Sequence, residues 1–258
     1  MFNIRTDFLA LDFDGVIADS INECLVVGHN AFVEHLKSGH KIKNLNELHK
    51  KEIDEFKRLR NFIRSGEDYV FIQLALHDHE KIEHQVDFDR FSEQNKHLTR
   101  KFFDLFYMER DSFSTQQSQL WVELNPLYPG IRDFLSFYEP KENLFIITTK
   151  KIEFVHKILS AHGIPFKATT CYHAHGQKTK LEIILDLLDK YKDSPDHFHF
   201  IDDQVDTLIK VKQAGIRCHL ARWGYNNPEQ LYRAKRAGIP AILLKDFLEQ
   251  FSSTILDL

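Results

Sequence analysis

The chain has 258 residues, 43% hydrophobic and 28% charged, with 34 Lys and Arg against 38 Asp and Glu. Its 10 Gly, 7 Pro and 22 Phe exclude collagen-like, mucin-like and linker polymers and supply material for a core. A formal charge of -4 lacks the basic excess that drives counterion release, so nucleic acid is not expected as the main partner.

At this length either one large domain or a core with a smaller second domain is allowed. The longest apolar runs, such as Phe8 to Leu11 and Leu144 to Ile147, fall far short of the ~20 residues of a membrane helix. The first residues lack the basic start, apolar stretch and small-residue cleavage site of a leader. Cys24, Cys171 and Cys218 are odd in number and widely spaced, which suggests neither a disulfide framework nor a metal knuckle. A cytoplasmic protein is expected, with no membrane partner, as a monomer or homodimer.

The first predicted element is the isolated strand Phe8-Leu9-Ala10-Leu11. Residues 20–125 then read as all-helical: Phe32, Leu36, Ile53, Phe56, Leu59, Ile63, Phe71, Leu74, Phe102, Leu105 and Phe106 recur at mostly helical spacings, and no alternating strand pattern appears. From about Asn143 onward short apolar runs alternate with amphipathic stretches. Strands are predicted at Leu144–Ile147, Ala168–Cys171, Phe198–Ile201, Ile216–Ala221 and Ala241–Leu244. Helices are predicted at Ile152–Leu159, Leu181–Leu188, Val205–Val211, Pro228–Ala237 and Asp246–Phe251. This alternation is the pattern of βαβ units around a buried parallel sheet. Gly163, Gly215 and Gly238 each stand between a helical run and a strand-like run, the place of a left-handed helix cap.

The expected fold is therefore α/β: a Rossmann-like parallel sheet flanked by helices, formed by residues 1–19 and 126–258, with residues 20–125 as an inserted helical cap. A sheet whose first strand is flanked by later ones places such an insert over the carboxyl end of that strand. No Pro/Ser linker marks the boundaries, which are expected as short hinges near Val16–Ser20 and Leu124–Pro129.

Polar residues collect at one end of the predicted sheet. The first strand ends in Leu11-Asp12-Phe13-Asp14-Gly15-Val16-Ile17-Ala18-Asp19-Ser20, placing two carboxylates where open α/β sheets bind ligands. Thr148-Thr149-Lys150 follow the second strand, Lys178-Thr179-Lys180 open a helix, and Asp202-Asp203-Gln204-Val205-Asp206 end another strand.

In this order the segments resemble the motifs of the haloacid dehalogenase superfamily, and the resemblance covers nearly all of the core and none of the insert. It implies that Asp12 and Asp14 form the first motif and Thr148 ends the second. Lys180, with Lys178 as the alternative, is the third, and Asp202 and Asp206 match the fourth. The position before the first acid is Ile201 where Gly is usual, and Asp203 follows, so either acid of the Asp202-Asp203 pair can be the direct metal ligand. Asp14-Gly15-Val16-Ile17-Ala18-Asp19-Ser20 is similar to the family's flap segment, Tyr128-Pro129-Gly130 to the stretch re-entering the core, and Trp223-Gly224-Tyr225 to a late loop.

The chemistry implied is phosphoryl transfer, which needs an aligned nucleophile, fixed cations and donors around the equatorial oxygens. Asp12, ionised at neutral pH, is the expected nucleophile, forming an aspartyl-phosphate. Asp14 is the expected acid for the leaving oxygen and base for the attacking water. Thr148, Thr149 and the lysine, Lys180 or Lys178, are expected around the phosphate. The acids Asp12, Asp14, Asp202, Asp203 and Asp206 are all oxygen donors, which points to hard octahedral Mg²⁺.

The expected activity is hydrolysis of a small phosphorylated metabolite, in the manner of a phosphoglycolate phosphatase. A sugar phosphomutase would use the same core residues, and a non-catalytic binding protein retaining the fold is the competing class. Dehalogenases of this superfamily lack the second Asp, so dehalogenation is disfavoured. A phosphonate hydrolase needs a Schiff-base lysine in its cap, and Lys37, Lys41, Lys43, Lys50, Lys51 and Lys57 read instead as solvated helix faces.

Other candidates weigh less. His77 and His79 read as polar surface, His173 and His175 as exposed loop residues at the mouth of the site, and His197 and His199 as packing or strand-edge residues. Arg60 and Arg64, one turn apart, are placed to reach a substrate anion from the insert. Cys24 reads as a small buried apolar residue.

Overall fold

The computed structural model describes residues 2–138, 142–164, 167, 170–176 and 178–252. In chain order the elements are β1 (Phe8–Leu11), α1 (Ile21–Leu36), α2 (Lys50–Leu59), α3 (Asp68–His77), α4 (Gln85–Gln94), α5 (Thr99–Gln116), α6 (Ser118–Glu123), α7 (Ile131–Tyr138), β2 (Leu144–Thr148), α8 (Ile152–Ala161), β3 (Cys171–His173), α9 (Lys180–Tyr191), β4 (Phe198–Asp202), α10 (Val205–Lys212), β5 (Arg217–Ala221), α11 (Pro228–Arg236), β6 (Ala241–Ile242) and α12 (Leu244–Ser252). They divide into two compact units, one of Met1–Asp19 with Pro126–Leu258 and one of Ser20–Asn125. No helix among the described residues is long and apolar enough to cross a membrane.

The first unit holds a six-stranded sheet in the order β3-β2-β1-β4-β5-β6, and every strand pair is parallel. Both faces are covered, which is why β2 and β4 are buried at all their positions and read as continuous apolar runs. On one face Phe145 and Phe198 stack with ring centroids 6.2 Å apart, and Ile183, Ile184 and Leu187 of α9 and Leu208 of α10 join the same core. The chain turns back at β1, so the carboxyl ends of β1 and β4 form the crevice where the strand order reverses.

Three differences from the sequence reading concern edges. The third strand is Cys171–His173 rather than Ala168–Cys171. Ala168 and Thr169 lie outside the described residues, and the register that pairs Ile146 with Cys171 and Thr148 with His173 carries the strand through two polar-tipped residues. The last strand keeps only Ala241 and Ile242, which pair with Leu220 and Ala221 of β5, and α12 starts earlier than expected, at Leu244. Helix α7 has no counterpart in the sequence reading. Gly163, Gly215 and Gly238 have φ of +72°, +86° and +64°, the left-handed conformation expected of them.

The described residues of the second unit form helices joined by loops, with no strand among them. Phe32, Phe56, Leu59, Ile63, Phe71, Phe102 and Phe106 are buried there, as the spacing predicts, whereas Leu36 is 39% exposed. Its centre also contains a charge pair. Arg110 Nε and Nη2 donate to Glu23 Oε1 and Oε2 at 2.9 and 2.8 Å, and Trp121 Nε1 donates to Glu23 Oε1 at 3.0 Å. Glu23 and Trp121 have no exposed surface, so this fork ties α1, α5 and α6 together with its donors and acceptors matched. Arg60, expected to face a substrate, is buried with its guanidinium 5.4 Å from the Tyr69 ring. Arg64 donates to the Phe62 and Ile63 carbonyls and to Gln85. Both arginines therefore brace the helical unit itself.

Cys24, Cys171 and Cys218 are buried and not disulfide-bonded, and burial pushes the Cys171 and Cys218 thiols up to about 12, which keeps those two unreactive. His199 and His219 lie on the sheet face opposite the Phe145 stack. His199 Nδ1 and His219 Nε2 are 3.2 Å apart, with Phe2 and Phe251 set edge-on to the His199 ring. Burial pushes His199 down to about 4, against the pull of Asp7, and His219 down to about 3.

These two features make separate predictions. Removing one member of a buried ion pair leaves the other uncompensated, so Arg110→Met should lower the unfolding free energy by about 3–5 kcal/mol in urea denaturation, with Glu23→Gln in the same chain recovering part of it. A loss below about 1 kcal/mol would show that Glu23 is not held in this way. For the histidines, the folded values lie below the unfolded value near 6.5. Their contribution is complete above that pH and is lost as pH falls from about 6.5 towards 4, at about 1.4 kcal/mol per pH unit for each proton the unfolded chain gains. The double variant His199→Phe, His219→Phe should flatten the stability profile over that window, and an unchanged slope would contradict the assignment.

Candidate active site

The site is built at the carboxyl ends of β1, β2 and β4, from residues of the first unit alone. Asp12 follows the last residue of β1, and its N–H donates to the Ile201 carbonyl at 2.9 Å. Asp202 ends β4 and Asp203 follows it. Asp202 and Asp203 have no exposed surface and Asp12 is 6% exposed. One carboxylate oxygen from each lies within 4.8 Å of the other two.

Lys180 answers these charges. Its Nζ donates to Asp202 Oδ2 at 2.9 Å and stands 2.9 Å from Asp12 Oδ1. The helix start explains the aim: Thr179 caps α9, its hydroxyl accepting from Glu182 N at 3.3 Å while Glu182 Oε2 accepts from Thr179 N at 2.7 Å. This capping box fixes Lys180 as the first helical residue. Burial pushes the Asp12 carboxyl up to about 6, Lys180 pulls it down, and Asp202 adds a further push upward. Burial also opposes the charge on Lys180, but Asp12 and Asp202 outweigh it and hold the ammonium above its ordinary range.

Three carboxylates against one ammonium leave a buried excess of negative charge, which is unfavourable in a low-dielectric setting without another cation. The donors are all oxygen, and Asp12 Oδ1 faces Lys180 as an ion-pair partner without an aligned hydrogen bond. This set fits a hard divalent cation.

The turn after Asp12 is held by close packing. Gly15 has φ +88°, and a Cβ there would meet Asp203 Oδ2 at 2.3 Å. A Cβ on Gly224 would stand 2.4 Å from both the Gly15 carbonyl oxygen and Asp203 Cβ. Only glycine satisfies both positions, and the two backbones close on the Asp203 side chain. The loop after β5 adds polar ties: Tyr225 N donates to Asp203 Oδ2 at 2.8 Å, Tyr225 Oη donates to Asp19 Oδ1 at 2.6 Å, and Trp223 Nε1 donates to the Val16 carbonyl at 3.1 Å. The re-entering strand segment completes the clamp, with Asp19 N donating to the Pro126 carbonyl and Tyr128 N to that of Ile17.

Thr148 ends β2 with 1% exposure, and its Oγ1 accepts from Lys150 N at 3.1 Å. Thr149 is exposed, with its carbonyl 3.1 Å from His173 Nε2. Asp14 Oδ1 accepts from Lys150 Nζ at 2.9 Å. Two expected members stand elsewhere. Lys178 precedes α9, is exposed and is paired with Asp186. Asp206 lies in the first turn of α10 and pairs with Arg233 of α11. The resemblance sets Asp202 and Asp206 in one motif, but Asp202 ends a strand and Asp206 opens a helix, and the two side chains have different partners. Lys150 and the Gly15–Gly224 contact carry more of the site than the sequence indicates. The run Thr148-Thr149-Lys150 at a strand end was the available signal for the first. Nothing in the sequence shows the second, which is a contact between residues far apart in the chain.

Comparison with known proteins agrees with this geometry. A family model described as haloacid dehalogenase-like hydrolase matches residues 6–215. A phosphoglycolate phosphatase of Vibrio parahaemolyticus is 24% identical over 245 residues, covering 93% of this chain and 94% of that protein. One of Vibrio cholerae is 23% identical over 231 residues, covering 88% and 89%. Among solved structures, a predicted phosphoglycolate phosphatase from Haemophilus somnus superposes with a TM-score of 0.61 at 17% identity, over 95% of this chain and 98% of that one. A haloacid dehalogenase-like family hydrolase from Streptococcus pneumoniae gives the same TM-score of 0.61 and the same coverage. A six-stranded parallel sheet of this order, acids and a lysine at its switch point, and a model match across most of the chain lead to one family: the chain belongs to the haloacid dehalogenase-like hydrolases.

Proposed function

We propose that the chain is a Mg²⁺-dependent phosphatase that hydrolyses a small phosphomonoester through an aspartyl-phosphate on Asp12. The observation that carries this reading is Lys180, which stands between Asp12 and Asp202 at 2.9 Å from each while Asp203 remains within reach of both. A carboxylate nucleophile and a doubly negative phosphoryl group repel each other, and a fixed ammonium beside the nucleophile reduces that repulsion. Asp12, Asp202 and Asp203 would hold Mg²⁺, which when bound supplies positive charge against the phosphoryl oxygens.

In the first half-reaction an Asp12 carboxylate oxygen attacks phosphorus, the P–O bond to the leaving group breaks, and Asp14 gives its proton to the departing oxygen. In the second, Asp14 takes a proton from water, the water oxygen attacks the phosphorus of the aspartyl-phosphate, and phosphate leaves with Asp12 restored. Thr148, at the end of β2, presents its hydroxyl to the phosphate, and the exposed Thr149 borders it. The presence of Asp14 supports ester hydrolysis over halide displacement, which has no leaving oxygen to protonate. The names of the Vibrio relatives make phosphoglycolate the first ester to assay. Buried cysteines that are not disulfide-bonded suit a reducing, cytoplasmic setting.

Phosphate release should be measured on a panel of phosphorylated short acids, sugars and nucleotides with Mg²⁺ and again after chelation, for the wild type and Asp12→Asn. Turnover of at least one small ester should require the cation, and Asp12→Asn should lower kcat by at least about 10³-fold. No turnover on any ester would overturn the phosphatase reading, and turnover unaffected by Asp12→Asn would overturn the covalent route. Phosphate retained on a substrate but moved to another carbon would replace hydrolysis by a mutase reaction.

A further inference from the structure

The reaction scheme above gives Lys150 no task, yet the structure places it between two groups that have one. Its side chain has no exposed surface, and its Nζ donates to Asp14 Oδ1 at 2.9 Å. The ammonium lies 5.9 Å from the Phe13 ring centroid. Its backbone N–H donates to Thr148 Oγ1 at 3.1 Å. One residue thus touches the general acid through its side chain and the phosphate-facing hydroxyl through its main chain.

Burying an ammonium is costly, and an apolar side chain of similar length would fill the same volume beside Phe13 without that cost. The charge therefore calls for an explanation other than packing. Asp14 supplies one, because its carboxyl must meet an oxygen that exists at the site only during the reaction, and an exposed-edge carboxylate, 20% accessible here, has several rotamers to choose among. An ion pair from a fully buried side chain fixes that choice.

We infer that Lys150 is a positioning residue for Asp14: it holds the carboxyl where the leaving oxygen will stand and locks that position to the Thr148 hydroxyl. The inference rests on the phosphatase reading and adds to it a residue that acts through Asp14 rather than on the substrate. Its consequence is a dependence on the leaving group. An alkyl ester needs the proton from Asp14 as its oxygen departs, whereas a nitrophenyl ester has an oxygen that departs readily without it.

The test compares Lys150→Met with the wild type on an alkyl phosphomonoester and on p-nitrophenyl phosphate, with Mg²⁺ present. Misplacing the acid should lower kcat on the alkyl ester by about 10²-fold with little change in KM, and on the nitrophenyl ester by no more than about tenfold. In an Asp14→Asn background the same substitution should add less than about threefold on the alkyl ester, since its effect passes through Asp14. Lys150→Gln, which keeps a donor without the charge, is read in the same way and should fall between the wild type and Lys150→Met. Equal losses on the two esters, or losses that multiply with those of Asp14→Asn, would overturn the assignment and leave the phosphatase reading standing. A wild type that turns over neither ester would overturn both.

Discussion

Three carboxylates buried within reach of one another at the end of a parallel sheet are the constraint to which the rest of this chain responds. Asp12 and Asp202 come from neighbouring strands, β1 and β4, because the sheet order reverses between them. Asp203 joins them by being the next residue. A single lysine is brought against two of the acids by a helix start whose capping box sets its register. The carboxyl of Asp12 responds to its burial and to Asp202 by rising to about 6 in spite of that lysine. A site in this electrostatic condition favours a cation, and a phosphoryl group is the substrate chemistry that a cation, a lysine and a nucleophilic carboxylate handle together.

The surrounding backbone keeps the acids from relaxing apart. Gly15 and Gly224 let two loops approach Asp203 more closely than any side chain would permit, and Tyr225 and Trp223, flanking Gly224, bond Asp203, Asp19 and Val16. On the β2 side, Lys150 connects Asp14 to Thr148. The helical unit has its own internal charge lock in Glu23 and Arg110, where one base answers one acid. Balanced buried charge stabilises a unit; an excess of buried acids over bases is what makes a site ready for a cation.

Much of the core was legible because burial on both sheet faces forces continuous apolar runs, as in Phe198-His199-Phe200-Ile201, and because the residues that end such runs stand at one edge of the sheet. Lys180 was expected, by resemblance to the family's third motif, to open a helix, and it is the first residue of α9, capped by Thr179 and Glu182. The failures have physical causes. Asp206 was expected from the four-residue spacing of the fourth motif, but it is separated from Asp202 by the strand-to-helix bend and pairs with Arg233. Arg60 falls on a helical period that does not distinguish an arginine facing a ligand from one lying against Tyr69. The contact of Lys150 with Asp14 joins residues 136 apart, and local pattern carries no information about such a pair.

Calorimetric titration of Mg²⁺ into the substrate-free protein tests the electrostatic account most directly, since it reads the site without depending on the right substrate. The account predicts one binding site per chain that raises the melting temperature, with affinity reduced at least about tenfold by Asp203→Asn and further by Asp202→Asn in the same chain. Absence of binding at millimolar Mg²⁺, or an affinity unchanged when both acids are neutralised, would contradict it.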